Sequence, residues 1–593
     1  MPLQEWIHQL EEGQGALWIK RLFFLLAFAA VAALYDVRHF KNFSNPEAMD
    51  SGQVARQIAA GRGFTTKFIR PFSLKMILAQ QGEAILNDPK THPLKAAHPD
   101  LANAPVFPLI EAALFKTLPF DFTVRSDFWR YQPEILLAIF NQVLFALLLG
   151  SVYLLARKLF DDGVARVSVI VTALAEVFWR FSISGLPTIF LTLLTVWIFI
   201  CLATMESRAR EQTATDRWFY LMSFLVACLL SIGALTRYSY GWLIIPILTF
   251  GIITFGTRRG ASAAIIIVVL ALALAPWCYR NYTICGRPFG IAQFAAVQGT
   301  ALFPGDRLER SMPENLALDL NKVTPDQYGR KLLTGLGDIV RTEIPKLGGS
   351  WATALFLVGL LAPFRNPGLS RLRWMLLGCL ATLAFVQSIG RTHLWEVAPE
   401  INSENLLILL APLIFMYGIA LFYSFIDQIP FEFARYRTAT IGVFVVIVSS
   451  PLILTFLGGR TIPFVYPPYY PPYIYDYASW LKDDELAMGD MPWAMGWYGD
   501  QASIWNTLDT GYAKPSDFFT IHDHMKPIKL LYLTPLTLDV KFVSDMLKNR
   551  ENAWSRFALD SMERTNVPPG FPLKHAPRGY LPDFLILSDR RRW

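Results

Sequence analysis

Apolar runs of about 20 residues recur along this chain, each long enough to cross a hydrocarbon core as an α-helix. They lie near 16–36, 134–156, 163–181, 186–205, 218–236, 240–256, 262–277, 350–364, 373–390, 404–425 and 438–457. Lipid offers no partner for backbone N–H and C=O groups, so such runs commit the chain to a polytopic α-helical membrane protein of about 11 transmembrane helices. Composition agrees: of 593 residues, 53% are hydrophobic and only 17% charged, well away from soluble averages. A net charge of +7 does not indicate nucleic acid, because no basic stripe, zinc-finger spacing or RNA-binding signature accompanies it.

The positive charge instead marks topology. Lys20 with Arg21, Arg157 with Lys158, Arg208 with Arg210 and Arg217, Arg258 with Arg259, Arg371 with Arg373, and Arg435 with Arg437 fall on one side of the alternating spans. The positive-inside rule makes that side cytoplasmic. Met1 to Gly15 is polar and no small-residue cleavage site follows the first run, so the first span reads as retained and the N-terminus as cytoplasmic. An odd number of spans then puts the C-terminus outside, with a first outer loop over 36–133 and another over 278–349. The setting is a plasma (inner) membrane, crossed many times. Cys201, Cys228 and Cys379 lie in apolar runs, and Cys278 with Cys285 is not expected to pair.

Residues 1–457 thus form the membrane domain. A Pro/Tyr-rich interfacial linker follows over 458–478; its Tyr466 to Tyr477 stretch, YPPYYPPYIYDY, is too rich in proline for helix. Residues 479–593 read as a small extracytoplasmic α/β domain, with strands at Glu485 to Met488, Ile528 to Leu533 and Phe584 to Ser588 and a helix at Val540 to Asn549.

Asn45 to Phe64, NPEAMDSGQVARQIAAGRGF, has a full set of helix signals but is too polar to span. Asn45 suits the N-cap, Pro46 the first helical position, Glu47 the first turn and Gly61 the end. Asp50, Gln53 and Gln57 share one stripe and Val54, Ala55, Ile58 and Ala59 another. The polar stripe would present a carboxylate to the outer face, although Glu47 and Asp50 could equally serve only the helix dipole.

These residues, followed by Gly61-Arg62-Gly63-Phe64, Ala104-Pro105-Val106-Phe107-Pro108, Leu235-Thr236-Arg237-Tyr238 and Ala275-Pro276-Trp277-Cys278-Tyr279-Arg280-Asn281-Tyr282, resemble in order and spacing the GT-C superfamily of membrane glycosyltransferases. The closest branch holds protein O-mannosyltransferases and aminoarabinose transferases. The resemblance implies a GT-C-like fold and a transferase moving a sugar from a polyprenyl-phosphate or polyprenyl-diphosphate donor to an acceptor lipid, glycan or protein at the outer face, with no nucleic acid involved.

A lipid phosphate is already a good leaving group, so one base and a cationic clamp could suffice, without the paired carboxylates of a glycosidase. Asp50 is the first candidate base and Glu47 the second. Arg280 and Arg70 are the preferred cations for the lipid phosphate, ahead of Lys67 and Arg237, for which anchoring at headgroups is an equal alternative. His393, Glu396 and Glu404 form a candidate acceptor or divalent-metal cluster, against which stands the ordinary reading of a solvated loop; no other cofactor is implied. The competing class is a transporter or flippase of a lipid-linked substrate. It is disfavoured because Glu176 is the main acid inside a span while the polar residues gather outside.

Overall fold

The computed structural model describes residues 14–118, 120–125, 130–312, 320–362, 366–394, 401–430, 434–458, 470–508, 516–537, 553–563, 567–577 and 584–593. Among them, seven helices are long and apolar enough to cross a bilayer: Arg21–His39, Gln132–Leu159, Thr188–Arg210, Asp216–Thr236, Gly256–Cys285, Pro367–Gly390 and Leu406–Ile426. A further apolar helix pair, Arg435–Val448 and Ser450–Leu457, is bent by 61°, where Pro451 removes a helix hydrogen bond.

Among the described residues, three of the 11 expected runs form shorter or broken helices instead. The 163–181 run breaks into Asp162–Ala173 and Glu176–Ser182, and Glu176 starts the second piece, ion-paired with Arg180 at 2.9 Å. The 240–256 run begins as a 3-10 turn over Tyr238–Leu243, and the 350–364 run is helical only over Ser350–Gly359.

In chain order the principal elements of the first part are α1 (Gln14–His39), α2 (Pro46–Ala59), β1 (Phe68–Ile69), α3 (Pro71–Gln81), α4 (Val106–Thr117) and α5 (Gln132–Leu159). Then come α6 (Asp162–Ala173), α7 (Glu176–Ser182), α8 (Thr188–Arg210), α9 (Asp216–Thr236), α10 (Ile244–Thr254) and α11 (Arg259–Cys285). The second part has α12 (Pro325–Asp338), α13 (Ser350–Gly359), α14 (Pro367–Gly390), α15 (Ala411–Ile426), α16 (Ala434–Val448) and α17 (Ser450–Leu457). The C-terminal module has α18 (Pro471–Ser479), β2 (Leu486–Gly489), α19 (Pro492–Gly499), β3 (Ser503–Trp505), α20 (Asp517–His524), β4 (Ile528–Leu533), α21 (Ala553–Glu563) and β5 (Leu585–Ser588).

One boundary differs from the sequence expectation because proline was read too strictly. Pro471 and Pro472 open α18 rather than forbid it, since the first helical turn needs no intrahelical N–H. Helix α11 also extends past the expected end at 277, running through Pro276 to Cys285, so Ala275 to Tyr282 is helix. All five cysteines are free. The expected helix at Val540 to Asn549 lies outside the described residues.

The sheet has the order β1-β3-β2-β4-β5. Strands β2, β3 and β4 come from the C-terminal module and run parallel, with β5 antiparallel at one edge. The other edge is supplied by the loop between α1 and α5: β1 pairs parallel to β3, Phe68 opposite Ser503 and Ile69 opposite Ile504. The same loop enters the module's core, where Ile69, Leu74 and Leu78 pack with Leu486, Met488, Ile504 and Leu531. The opposite side of α3 packs Phe72, Met76 and Ile77 on Ile291, Phe294 and Leu308 of the segment after α11. Helix α3 is thus a wedge holding both loops and the module in one body.

Candidate active site

Asn45, with extended backbone, accepts the Glu47 N–H on its side chain at 2.9 Å and so caps α2, and Pro46 fills the first helical position. Chain reversal follows at Gly61, which holds φ +75°. The sequence placed Asp50 on an exposed stripe, but Asp50, Gln53 and Gln57 are as buried as Val54 and Ala55. The polar stripe is covered by protein: Gln57 donates to Asp500 at 2.7 Å, and Gln53 donates to Thr66 at 2.6 Å and accepts the Lys67 N–H at 2.8 Å.

Asp50 itself sits between two donors. Its Oδ1 accepts from Gln53 Nε2 at 3.0 Å and its Oδ2 from Arg70 at 2.8 Å. Arg70, placed directly after β1, reaches the other way to Glu309 at 2.7 Å. The three side chains form a nearly dry carboxylate–guanidinium–carboxylate array, 5%, 12% and 9% exposed. Burial would lower the Arg70 pKa, but Asp50 and Glu309 more than reverse this; burial would raise that of Glu309, but Arg70 holds it below the usual range. Nearby Asp100 has no such direct partner. Burial and the neighbouring Asp50 push its carboxyl up to about 6.

One cavity of about 660 Å³ gathers these groups. Glu47, Asp50, Ser51 and Arg70 line one side, and Arg237, Tyr238, Gln298, Glu309, Thr392 and Glu404 others. Trp242, Leu270, Leu274 and Phe385 make an apolar wall. Leu186, Thr236, Gln387 and Leu406 also line it; they lie beside the start of α8, at the end of α9, near the end of α14 and just before α15. The cavity therefore sits at one set of helix ends. Arg208 and Arg210 close the other end of α8, Arg258 and Arg259 precede or open α11, and Arg371 and Arg373 lie in the first turns of α14.

Arg237 follows the last residue of α9. It donates to the Ser403 carbonyl and lies 3.7 Å from Glu47, and with 21% of its side chain exposed it is more open than Arg70. Glu404 accepts from the Thr392 N–H at 2.9 Å and the Thr392 hydroxyl at 2.6 Å. Burial, with Glu47 as a like charge, raises its pKa against these hydrogen bonds.

The structure thus brings Asp50, Glu47, Arg70, Arg237 and Glu404 to one cavity and leaves three other candidates outside it. Arg280 does not line the cavity: its guanidinium donates to the carbonyls of Asp100 and Phe64 at 2.6 and 3.0 Å and to Asn281 at 2.8 Å. Lys67 does not line it either; burial lowers its pKa, and Asp500 opposes that shift. His393 is buried with its ring against Trp505 at 5.3 Å, while Glu396 lies outside the described residues. Among the described residues no three His, Cys, Asp or Glu side chains gather to hold a metal ion.

Sequence reasoning missed Glu309, Asp100 and Gln298, which carry no local pattern and enter only through tertiary packing. It also missed what the Arg56 to Phe64 run does. Arg56 lies 3.8 Å and Arg62 2.9 Å from Asp500, so with Gln57 they clasp the end of α19. Glu134, at the start of α5, accepts from Phe43 N–H, Trp497 and Tyr498 at 2.7–2.9 Å, a second clasp on the same helix.

Comparison with known proteins bears on this architecture. Residues 132–279, about a quarter of the chain, match the family "Dolichyl-phosphate-mannose-protein mannosyltransferase". No curated protein matches the chain in sequence. Among solved structures, the oligosaccharyltransferase AglB of Archaeoglobus fulgidus, in complex with an inhibitory peptide and a dolichol-phosphate, aligns with a TM-score of 0.54 and 12% identity over 92% of this chain and 72% of that one. The same organism's enzyme tethered to an acceptor peptide gives 0.51 and 10% over 87% and 69%. ArnT from Cupriavidus metallidurans, bound to undecaprenyl phosphate, covers 96% and 98% at 10% identity, but its TM-score of 0.40 is too low to establish a common fold.

The chain thus shares the fold of that oligosaccharyltransferase, and residues 132–279 resemble a family of membrane glycosyltransferases. The segment with the sequence match runs from α5 through most of α11.

Proposed function

We propose that the chain transfers a sugar from a polyprenyl-phosphate or polyprenyl-diphosphate donor to an acceptor hydroxyl at the outer face of a plasma (inner) membrane. Its N-terminus is cytoplasmic and its C-terminal module extracytoplasmic. The observation that carries this reading is the meeting of Asp50 and Arg237 in one cavity that also has an apolar wall. That cavity lies at the helix ends opposite the arginine-rich ones, as the positive-inside rule requires of an outer site.

The chemistry follows from the side chains. The acceptor oxygen bonds to the anomeric carbon as the bond from that carbon to the phosphate oxygen breaks, and the phosphate leaves with the electron pair. Asp50 takes the acceptor proton; each of its oxygens accepts one bond from the protein and retains a lone pair for it. Arg237, the more open cavity arginine, binds the phosphate and stabilises the charge growing on it. Arg70 is committed to two carboxylates and orients Asp50. The apolar wall of Trp242, Leu270, Leu274 and Phe385 suits an isoprenoid chain.

The test is to purify the protein in detergent, supply a panel of polyprenyl-phosphate sugars with lipid, glycan and peptide acceptors, and measure transfer and donor hydrolysis. Turnover of at least one donor is expected. A folded, monodisperse preparation that neither transfers nor hydrolyses any of them would overturn the proposal.

A further inference from the structure

Directly after the candidate base, Ser51 lines the same cavity, and its Oγ lies 2.6 Å from Oε2 of Glu111 on α4. Glu111 is fully buried, and among the described residues its other oxygen has no hydrogen-bond partner. A carboxylate placed so would be a charge held by a single hydroxyl, which is costly. The elements packed on α4 include α2 and α9. Helix α2 brings Glu47, Asp50 and Arg56, α9 stops at Thr236 before Arg237, and α4 itself adds Lys116. No charge among them acts on the Glu111 carboxyl: burial raises it to about 8, opposed only by the Ser51 hydroxyl.

The protonation state of Glu111 decides what Ser51 offers the cavity. An ionised carboxyl only accepts, so it takes the single Ser51 hydrogen and leaves lone pairs facing the cavity. A neutral carboxyl donates its own hydrogen to Ser51 Oγ and frees the Ser51 O–H to point inward. We propose that Glu111 is a positioning residue that, as the neutral acid, turns Ser51 into a hydrogen-bond donor to a phosphate oxygen of the lipid carrier. This rests on the glycosyl-transfer reading for its ligand. It also explains a placement the mechanism does not use, a buried acid without a cation touching the cavity lining through one hydroxyl.

The experiment measures binding, not turnover, so that it stays separate from the test of transfer. Affinity for undecaprenyl phosphate is compared at pH 7 and pH 9 for wild type, Glu111→Gln and Ser51→Ala in detergent. One neutral hydrogen bond is worth about tenfold in affinity. Wild type should weaken about tenfold at pH 9. Glu111→Gln, whose amide still donates to Ser51 but cannot ionise, should bind like wild type at pH 7 and hold that affinity at pH 9. Ser51→Ala should be weak at both. Infrared spectra supply a readout of protonation that a packing role would not move: a protonated-carboxyl stretch present in wild type, absent in Glu111→Gln, and lost as pH rises through about 8. An ionised Glu111 at pH 7, equal pH dependence in wild type and Glu111→Gln, or full binding by Ser51→Ala would each overturn the proposal. If all three arms behave as expected but no donor is turned over, the transfer reading fails and this one stands.

Discussion

Arg70 holds two carboxylates, and replacing each in turn separates a chemical role from a structural one. Asp50→Asn and Glu309→Gln both remove one charge from the same guanidinium, at contacts of 2.8 and 2.7 Å, and both leave Arg70 one anionic partner. Each acid also has a second donor, Gln53 for Asp50 and Gln298 for Glu309, at 3.0 and 2.9 Å. An amide can satisfy only one donor of each pair with its oxygen, so each variant loses about one charge-assisted hydrogen bond, roughly 1.5–3 kcal/mol of stability. The two should therefore unfold alike. Turnover should differ: loss of a general base costs about 10²–10⁴ in rate, or roughly 3–5 kcal/mol of transition-state stabilisation. Single-turnover kinetics with saturating donor, beside thermal unfolding in detergent, give both quantities on one preparation. Asp50→Asn with turnover within threefold of wild type, or Glu309→Gln as slow as Asp50→Asn, would refute the assignment.

Further outcomes follow from the same geometry. Arg237→Ala should raise the KM for the lipid donor and Arg237→Lys restore part of it, because a point charge keeps attraction but loses the planar fork of donors; equal KM values in all three remove Arg237 from the phosphate site. Arg280→Ala should lower thermal stability while leaving donor KM unchanged, since its donors serve carbonyls and Asn281; a selective rise in KM would restore Arg280 to the donor site. Asp100 has a folded pKa raised to about 6, so the stability it contributes is full below its unfolded value of 3.8 and is lost as pH rises through about 6. Asp100→Asn should flatten thermal stability across that window and match or exceed wild type at pH 7.5, and an unchanged pH profile would exclude the effect.

The membrane helices were legible because lipid leaves one solution for a long apolar run, and α2 because its capping signals are local. The failures share another cause. Strand β1 is only two residues long and exists because a partner waits in the C-terminal module, so no window of sequence could announce it. The burial of Asp50 was missed for the same reason: periodicity places it on the polar stripe, but only tertiary structure shows that Arg70, Thr66 and the module cover that stripe. Of the four cations chosen for the phosphate, Arg70 and Arg237 reach the cavity while Arg280 and Lys67 do not. Local motif context favoured Arg280, but its side chain caps carbonyls of the loop beneath it.

Pairing β1 with β3 has a consequence for how the protein is made. The strand that delivers Arg70 to Asp50 leaves the ribosome more than four hundred residues before the strand it pairs with, and the Arg56 contact to the Trp497 carbonyl spans 441 positions. Such distant pairings form late and slowly. The first loop must therefore wait, with Asp50 lacking its finished surroundings, until the last span is inserted and the C-terminal module reaches the same side. A nascent chain that has not yet reached the module would carry the candidate residues of the first loop without the contacts that hold them in the finished fold.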